Sequence, residues 1–293
     1  MDIRQLKYFI TVADEHTYTR AASLLHISQP SLSAAIKKLE SEVGLTLIDR
    51  SARDLRLTKE GQILYQEAQK LLHHHEHVSF EMDRLKQQGP LELSIGLIES
   101  SMFFVPDILT RFKAEYHNVR VSLLETLSLT DVKKALNNFE IHLAITNQYI
   151  HQEDIETIPI YEENLVALIP PQHHLIRKET LHIDDLEGEN FIVCKEGFQT
   201  RQDILNAFSK SGVKPDIQFE IERFETGCSL VEEGLGITVV PENYVRYAKQ
   251  IDCAIKTIDD AHISRIVYLA YDKNRYQPPI VMRFIELVKA FFV

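Results

Sequence analysis

Between residues 29 and 43, two kinds of side chain sort onto opposite sides. Leu32, Ile36, Leu39 and Val43 recur at intervals of 4, 3 and 4, which at about 100° per residue is one narrow apolar stripe on an α-helix. The other side carries Pro30, Ser33, Ala34, Lys37 and Ser41. Such residues suit recognition of duplex DNA: small side chains let a helix enter the major groove, hydroxyls reach base edges or phosphates, and a lysine meets the backbone. An ordinary helical bundle could show the same spacing, so the flanking segments decide. Ser28 is placed to cap the helix, and Pro30 is tolerated in its first turn. Upstream, Leu6, Phe9, Ile10 and Ala13 stripe a helix over 3–15, and Thr17 can cap a short helix that turns Ala21, Ala22 and Leu25 inward. Two short helices joined by a tight turn at His26-Ile27 make a helix-turn-helix. Downstream, Leu45, Leu47, Leu55 and Leu57 alternate with polar residues around a loop holding Arg50, Arg53 and Arg56. That pattern reads as a wing of two short strands suited to phosphates or the minor groove.

The run Tyr18-Thr19-Arg20-Ala21-Ala22, with Leu25, Ile27-Ser28-Gln29-Pro30-Ser31-Leu32-Ser33, Ile36 and Leu39-Glu40, continues through Val43-Gly44, Leu47-Ile48, Arg50, Arg53, Leu57-Thr58 and Gly61. It closely resembles the head of LysR-type transcriptional regulators, although Ile48 stands where that family usually has Phe. The resemblance implies that Gln29, Pro30, Ser31, Ser33 and Lys37 face DNA and that Arg50 and Arg53 sit in the wing. Thr19, Arg20, Ser28, Ala34 and Lys38 complete the expected DNA-binding set.

Residues 58–86 read as one long helix capped by Thr58. Leu64, Ala68, Leu71, His75, Val78, Met82 and Leu85 are spaced 4, 3, 4, 3, 4, 3, an unbroken heptad pattern whose apolar seam needs a partner. Dimerisation through this helix follows from the spacing, with His75 as the polar member, and the family's linker helix agrees. His73 and His77 share a helical face and could chelate zinc or nickel. No cysteine or second ligand pair lies near them, so they read as a polar helix face and no metal site or cofactor is expected.

From residue 89 onward, strands and helices alternate. Strands fall near 91–96, 119–125 and 142–145, with helices over 103–116 and 131–138 between them. This rhythm predicts an open, mostly parallel sheet covered by helices. Further strands near 164–169, 191–194, 216–222, 234–241 and 266–270 alternate with helices over 201–211, 224–233 and 280–292. The fold class is therefore α/β multidomain: a winged helix-turn-helix over 1–58, a linker helix over 59–88 and an effector-binding domain over 89–293. The last resembles the periplasmic-binding-protein fold of the family's effector domain, with subdomain I at 89–162 and 267–293 and subdomain II at 163–266.

Ligands of such sheets bind beyond strand ends, where helix N-termini offer free N–H groups. Ser100, Ser101, Thr126, Ser128, Thr146, Phe198, Gln199, Thr200, Arg201, Phe224 and Thr226 occupy such places. Hydroxyls with Arg201 would suit a small carboxylate, which Glu99 and Glu225 would oppose if they point inward. The family's ligands sit at aligned positions. His142 stands where an Asp is usual, and His174 where a Pro usually follows His173.

The 293 residues carry 32 Lys+Arg against 43 Asp+Glu, a net charge of −11, which argues against wholesale coating of nucleic acid. Residues 1–88 hold 12 of each sign and the rest 20 against 31, so a neutral head precedes an acidic body. No apolar run approaches the ~20 residues needed to span a bilayer, and the N-terminus shows no secretory pattern. No nucleophile elbow, phosphate loop or placeable carboxylate pair marks an enzyme. The expectation is a cytoplasmic bacterial regulator that binds double-stranded promoter DNA and a small acidic effector. It would form a homodimer and homotetramer, with RNA polymerase as a further partner and no membrane. The alternatives are a cytoplasmic solute-binding protein or transporter subunit, and a redox sensor built on Cys194, Cys228 or Cys253.

Overall fold

The computed structural model describes residues 1–49, 55–87, 91–247, 251–260 and 263–292, and for 77, 80, 81 and 83–87 the backbone alone. The chain divides into two compact units, Met1–Gly89 and Pro90–Val293. Arg50 and Arg53 lie outside the described residues, as does the side chain of Leu85.

In the first unit, α1 (Ile3–Glu15) is opened by a reciprocal cap. Gln5 N donates to Asp2 Oδ1 and Asp2 N to Gln5 Oε1, both at 2.8 Å. Thr17 Oγ1 accepts from Arg20 N to start α2 (Tyr18–Leu24), and Ser28 Oγ accepts from Ser31 N to start α3 (Gln29–Val43). Gly44 ends α3 at φ +74°, in the left-handed region that favours glycine. Phe9, Val12, Ala21, Ala22, Leu32, Ile36 and Leu39 form the core with Leu47 and Ile48. Strands β1 (Ile48–Asp49) and β2 (Arg56–Leu57) pair antiparallel as the wing. The Glu40 carboxylate accepts from Leu47 N at 2.9 Å and Ile48 N at 3.2 Å, which ties the wing to α3.

Thr58 Oγ1 accepts from Gly61 N at 2.9 Å and opens α4 (Lys59–Gln87). The expected seam divides along this helix. Leu64 packs on the head core and Ala68 is buried within the same unit, whereas Leu71, Val78 and Met82 are 44%, 45% and 56% exposed. His75 is exposed as well. The exposed part of the seam therefore starts at Leu71, because α1 packs against α4 within the head.

In the second unit, β3 (Leu91–Leu97) leads through a 3-10 turn, Glu99–Phe103, into α5 (Val105–Glu115). The helix starts later than the sequence pattern predicts, because Pro106 is accommodated only in a first helical turn. Next come β4 (Val119–Glu125), α6 (Leu129–Asn137), β5 (Leu143–Thr146), β6 (Ile155–Ile169), β7 (Thr180–Leu181) and β8 (Asn190–Cys194). The chain continues through α7 (Gln199–Ser211), β9 (Asp216–Ile221), α8 (Phe224–Glu232), β10 (Ile237–Pro241), α9 (Glu242–Tyr247), β11 (Ala254–Ile258), β12 (Ser264–Asp272) and α10 (Pro279–Phe291).

The strand order is β4-β3-β5-β12-β6-β10-β8-β9. Pairs β3/β4, β3/β5, β8/β9 and β8/β10 are parallel, but β12 runs antiparallel to β5 and β6, and β6 antiparallel to β10 and β11. The mostly parallel sheet expected from the rhythm is thus a mixed one. One α/β half is inserted into the other, so one strand carries the chain out and another brings it back, and those two run in opposite directions. Sequence reading missed β6 before residue 164 because Pro159 and the pair Glu162-Glu163 look unlike a central strand. On one side of these crossing strands Leu93, Ile95, Phe104, Phe112, Leu143 and Phe284 pack together; on the other, Leu165, Phe191, Val193, Ile204, Phe208 and Val239 do.

Gly61 supplies a test of the head. A Cβ there would lie 2.0 Å from the Leu47 carbonyl oxygen, a backbone atom that has no flexible end to move. Gly61→Ala should therefore destabilise the head by about 1–3 kcal/mol, outweighing the roughly 1 kcal/mol by which Ala exceeds Gly in a helix. Urea unfolding of both proteins checks this; equal or greater stability in the variant would refute the close approach.

Candidate functional site

The helix that read as a recognition helix does present its small polar side outward. Gln29, Pro30, Ser31, Ala34, Lys37 and Lys38 of α3 are exposed and Ser33 is half-buried, with Leu32, Ile36 and Leu39 beneath. Ser28, Thr19 and Arg20 are exposed beside them. Lys38 approaches Glu42 at 3.8 Å and Arg20 approaches Glu15 at 3.2 Å, both solvent-screened pairs of little strength. Among the described residues Lys37 has no carboxylate partner, so its charge is available to a phosphate.

The second unit is centred on a buried ion pair that sequence reading missed. Arg265 of β12 stands directly opposite Glu163 of β6, and their side chains are 4% and 0% exposed. Arg265 Nε donates to Glu163 Oε2 at 2.9 Å, Nη1 to Thr200 Oγ1 at 2.7 Å and Nη2 to Ser100 Oγ at 3.4 Å. Ser100 Oγ donates to Glu163 Oε2 at 3.1 Å, and Asn243 Nδ2 of α9 to Glu163 Oε1 at 3.3 Å. Ser100 and Thr200, from opposite halves, are thereby brought to one group. The available signal was a charge of each sign inside the two crossing segments. Asn243 sits in a short helix that the sequence pattern did not reveal.

Two cavities flank this pair. One, of about 340 Å³, is lined by Glu99, Ser100, Glu125, Arg223, Glu225 and Asn243, with Met102, Phe103, Tyr244 and Tyr247 as its apolar wall. The other, of about 550 Å³, is lined by Asn147, Glu162, Gln199, Asp203, Ser264 and Arg265, with Tyr149, Ile266 and Tyr268. Between the halves, Ser128 and Phe198 meet as an isolated antiparallel bridge. Ser128 also caps α6, accepting from Asp131 N at 3.2 Å and donating to Asp131 Oδ2 at 2.6 Å. Gln199 Nε2 donates to Asp203 Oδ1 at 2.7 Å on the second cavity's wall. Thr146 Oγ1 is buried and accepts from Gln148 N, whereas Thr126 Oγ1 is buried without a partner.

Other expected ligand contacts are corrected. Arg201 Nη1 donates to Cys194 O at 2.8 Å and to Glu220 at 2.6 Å, so its charge is committed to β8 and β9 and it lines neither cavity. Ser101 Oγ donates to Ile98 O and closes its own turn. The Phe224 ring is buried in the core of the inserted half, and Thr226 is exposed outside both cavities. His142 is buried and its Nδ1 accepts from Ser94 N at 3.0 Å, a structural role. Burial pushes the Cys194 and Cys228 thiols up to about 12 and that of Cys253 up to about 11, the opposite of the lowered value that marks a reactive thiolate.

A winged helix-turn-helix joined to a ligand-binding α/β domain with an inserted second half defines the class of one-chain, ligand-responsive regulators. Residues 3–62 match the model described as "Bacterial regulatory helix-turn-helix protein, lysR family", and residues 86–292 match "LysR substrate binding domain". The chain belongs to the LysR family of DNA-binding transcriptional regulators. It is 33% identical to the uncharacterized HTH-type transcriptional regulator YcgK of Bacillus subtilis (strain 168), over 98% of this chain and 94% of that protein. To the HTH-type transcriptional regulator AlsR of the same organism it is 30% identical, over 98% and 95%. The crystal structure of CbnR, a LysR family transcriptional regulator, superposes with a TM-score of 0.74 at 24% identity over all of both chains, a likeness of fold. Among the described residues no helix is long and apolar enough to cross a membrane.

Glu99 carries the next test. Desolvation raises its carboxyl to about 7, against the opposing pull of the Phe224 N–H bond and of Arg223. A raised folded value means that the fold favours the protonated acid, so this residue's contribution is fully present below about 4.5 and declines as pH rises through about 7. Glu99→Gln should remove that decline and raise the melting temperature above pH 7 by roughly 2–4 °C. Parallel melting profiles of the two proteins across this window would show that Glu99 is solvated.

Proposed function

We infer that this regulator reads promoter DNA with α3 and responds to a small ligand held between the halves of its second unit. The observation that carries the DNA reading is the outward face of α3, where Ser33 and Gln29 flank an unpaired Lys37. Membership of the LysR family supports this over a solute-binding protein or transporter subunit. A cytoplasmic, non-catalytic role fits the same membership. Leu71, Val78 and Met82 supply the apolar strip for dimerisation, and tetramers follow where effector-binding units also associate.

The ligand class follows from electrostatics. Arg201 is committed elsewhere, Arg265 is neutralised by Glu163, and Arg223 is paired with Glu125. Glu99, Glu225, Glu162 and Asp203 remain on the cavity walls. Desolvation already raises the Asp203 carboxyl above the usual carboxylate range, and an added anion would meet the same penalty. Thr126 Oγ1, Asn147 Oδ1 and Asp203 Oδ2 are buried with no hydrogen-bond partner, a state that costs about 1–3 kcal/mol for each such group. Asn147 and Asp203 line the second cavity, where a neutral or cationic ligand rich in hydroxyl or amine donors suits their free oxygens better than the carboxylate anticipated through Arg201.

Two measurements test these readings. In salt titrations of promoter binding, Lys37→Ala should weaken all sequences alike and reduce the log–log salt slope by ~1. Ser33→Ala and Gln29→Ala should instead relax preference at individual base pairs by about 1–3 kcal/mol each. Binding that is insensitive to salt and sequence would overturn the reading. For the ligand, size-matched panels of carboxylates and of polyols and amines are compared by thermal shift of the full chain. Stabilisation confined to the carboxylates would mean that Arg223 or Arg265 exchanges its present partner for the effector.

A further inference from the structure

Away from both the DNA face and the cleft, three ligand-type side chains meet on the inserted half. His173 precedes a 3-10 turn, His174–Arg177, while Glu189 follows another, Ile183–Leu186, and leads into β8. His173 Nε2 lies 3.1 Å from Glu189 Oε2, and His174 Nε2 lies 3.4 Å from Glu189 Oε1. The two imidazole rings are 4.5 Å apart, and the three nearest ligand atoms all fall within 4.8 Å of one another. An ion with bonds of about 2.0–2.1 Å to nitrogen and oxygen in tetrahedral geometry sets neighbouring ligand atoms about 3.3 Å apart. The two nitrogen-to-oxygen separations, each to a different oxygen of the one carboxylate, lie near that spacing, and a small rotation of the exposed His174 side chain closes the set on a single ion.

Both loops are anchored. Leu175, Leu181, Ile183 and Leu186 are buried in the core of this half, so the three side chains are presented from fixed backbone. His174 is 68% exposed while His173 and Glu189 are each 21% exposed, which leaves an open approach for an ion and room for water. Imidazole and carboxylate ligands with an open position suit zinc and its neighbours.

We propose that His173, His174 and Glu189 form a site for one divalent transition-metal ion, Zn²⁺ in the first instance, on the surface of the inserted half. The sequence reading expected no metal here, because the ligands come from two loops fifteen residues apart. His174 occupies a position where the family usually has proline, so the third ligand is a feature of this chain. In the empty site His173 Nδ1 accepts from Leu175 N at 3.4 Å and Nε2 donates to Glu189. Metal uptake moves that ring proton from Nε2 to Nδ1 through solvent, freeing the Nε2 lone pair. The contact with Leu175 N is lost, and at 3.4 Å it lies beyond the usual hydrogen-bond range.

The test is titration of the full, chelator-treated chain with Zn²⁺ by calorimetry, and with Co²⁺ by visible absorption. One ion per chain is expected, with the intense absorption of tetrahedral cobalt. His174→Pro and Glu189→Gln should each weaken binding by at least the roughly 10–100-fold that even outer partners of a metal site contribute. Circular dichroism and promoter binding of these variants should match the parent, since the residues lie at the surface. A His73→Asn/His77→Asn variant should keep the ion. Absence of saturable binding, retention of affinity in His174→Pro and Glu189→Gln, or loss confined to the His73/His77 variant would each overturn the proposal.

Discussion

The second unit turns on the Arg265–Glu163 pair. Each charge sits on one of the two strands that run between the halves, directly across the ladder from the other. Removing two such groups from water is costly, and the pair persists because its remaining hydrogen-bonding capacity is filled by Ser100, Thr200 and Asn243. Those partners come from the first turn after β3, from the start of α7 and from α9. A change in the angle between the halves would alter these bonds, since their donors and acceptors belong to both. The pair thus links the two halves through the strands that run between them.

That pair also sets the charge of the cleft. An arginine at the base of a ligand site would ordinarily attract carboxylates, but Glu163 cancels it, and Glu125 does the same for Arg223. The remaining carboxylates then decide the local field. Glu99 shows what burial does to one of them: its carboxyl is raised to about 7 although the Phe224 N–H and Arg223 both favour its anion. Desolvation outweighs the two attractive contributions.

The head follows a different economy. Its core is small, and its order depends on caps and close backbone approaches: Asp2, Thr17, Ser28 and Thr58 each satisfy helix-start N–H groups, and Glu40 holds the wing by two backbone bonds. This local bonding lets the outer side of α3 remain polar and sterically open. Along α4, apolar residues first complete the head core and then emerge into solvent, so one periodic pattern serves two packing duties in succession.

Local signals were enough for the head. Capping residues, the 4-3-4 apolar spacing and glycine at a helix end are short-range properties, and the expected helices formed where they indicated. The alternation of strands and helices likewise disclosed an α/β second unit. Three features lay beyond such reasoning. The sheet is mixed because strand direction is fixed by where the chain must return, which no local pattern encodes. The heptad seam divides because α4 meets α1 and Leu64 packs on the head core, a contact between distant parts of the chain. Of the cationic side chains, sequence reading chose Arg201 for the cleft and passed over Arg265. Only the folded chain placed Glu220 and the Cys194 carbonyl beside the first and set the second against Glu163 between the halves. Residue type and spacing determined the helices of the head, the polar outer face of α3 and the α/β alternation of the second unit. Tertiary structure decided which charges remain free, because the neutralising partner of a buried charge is chosen by proximity in space.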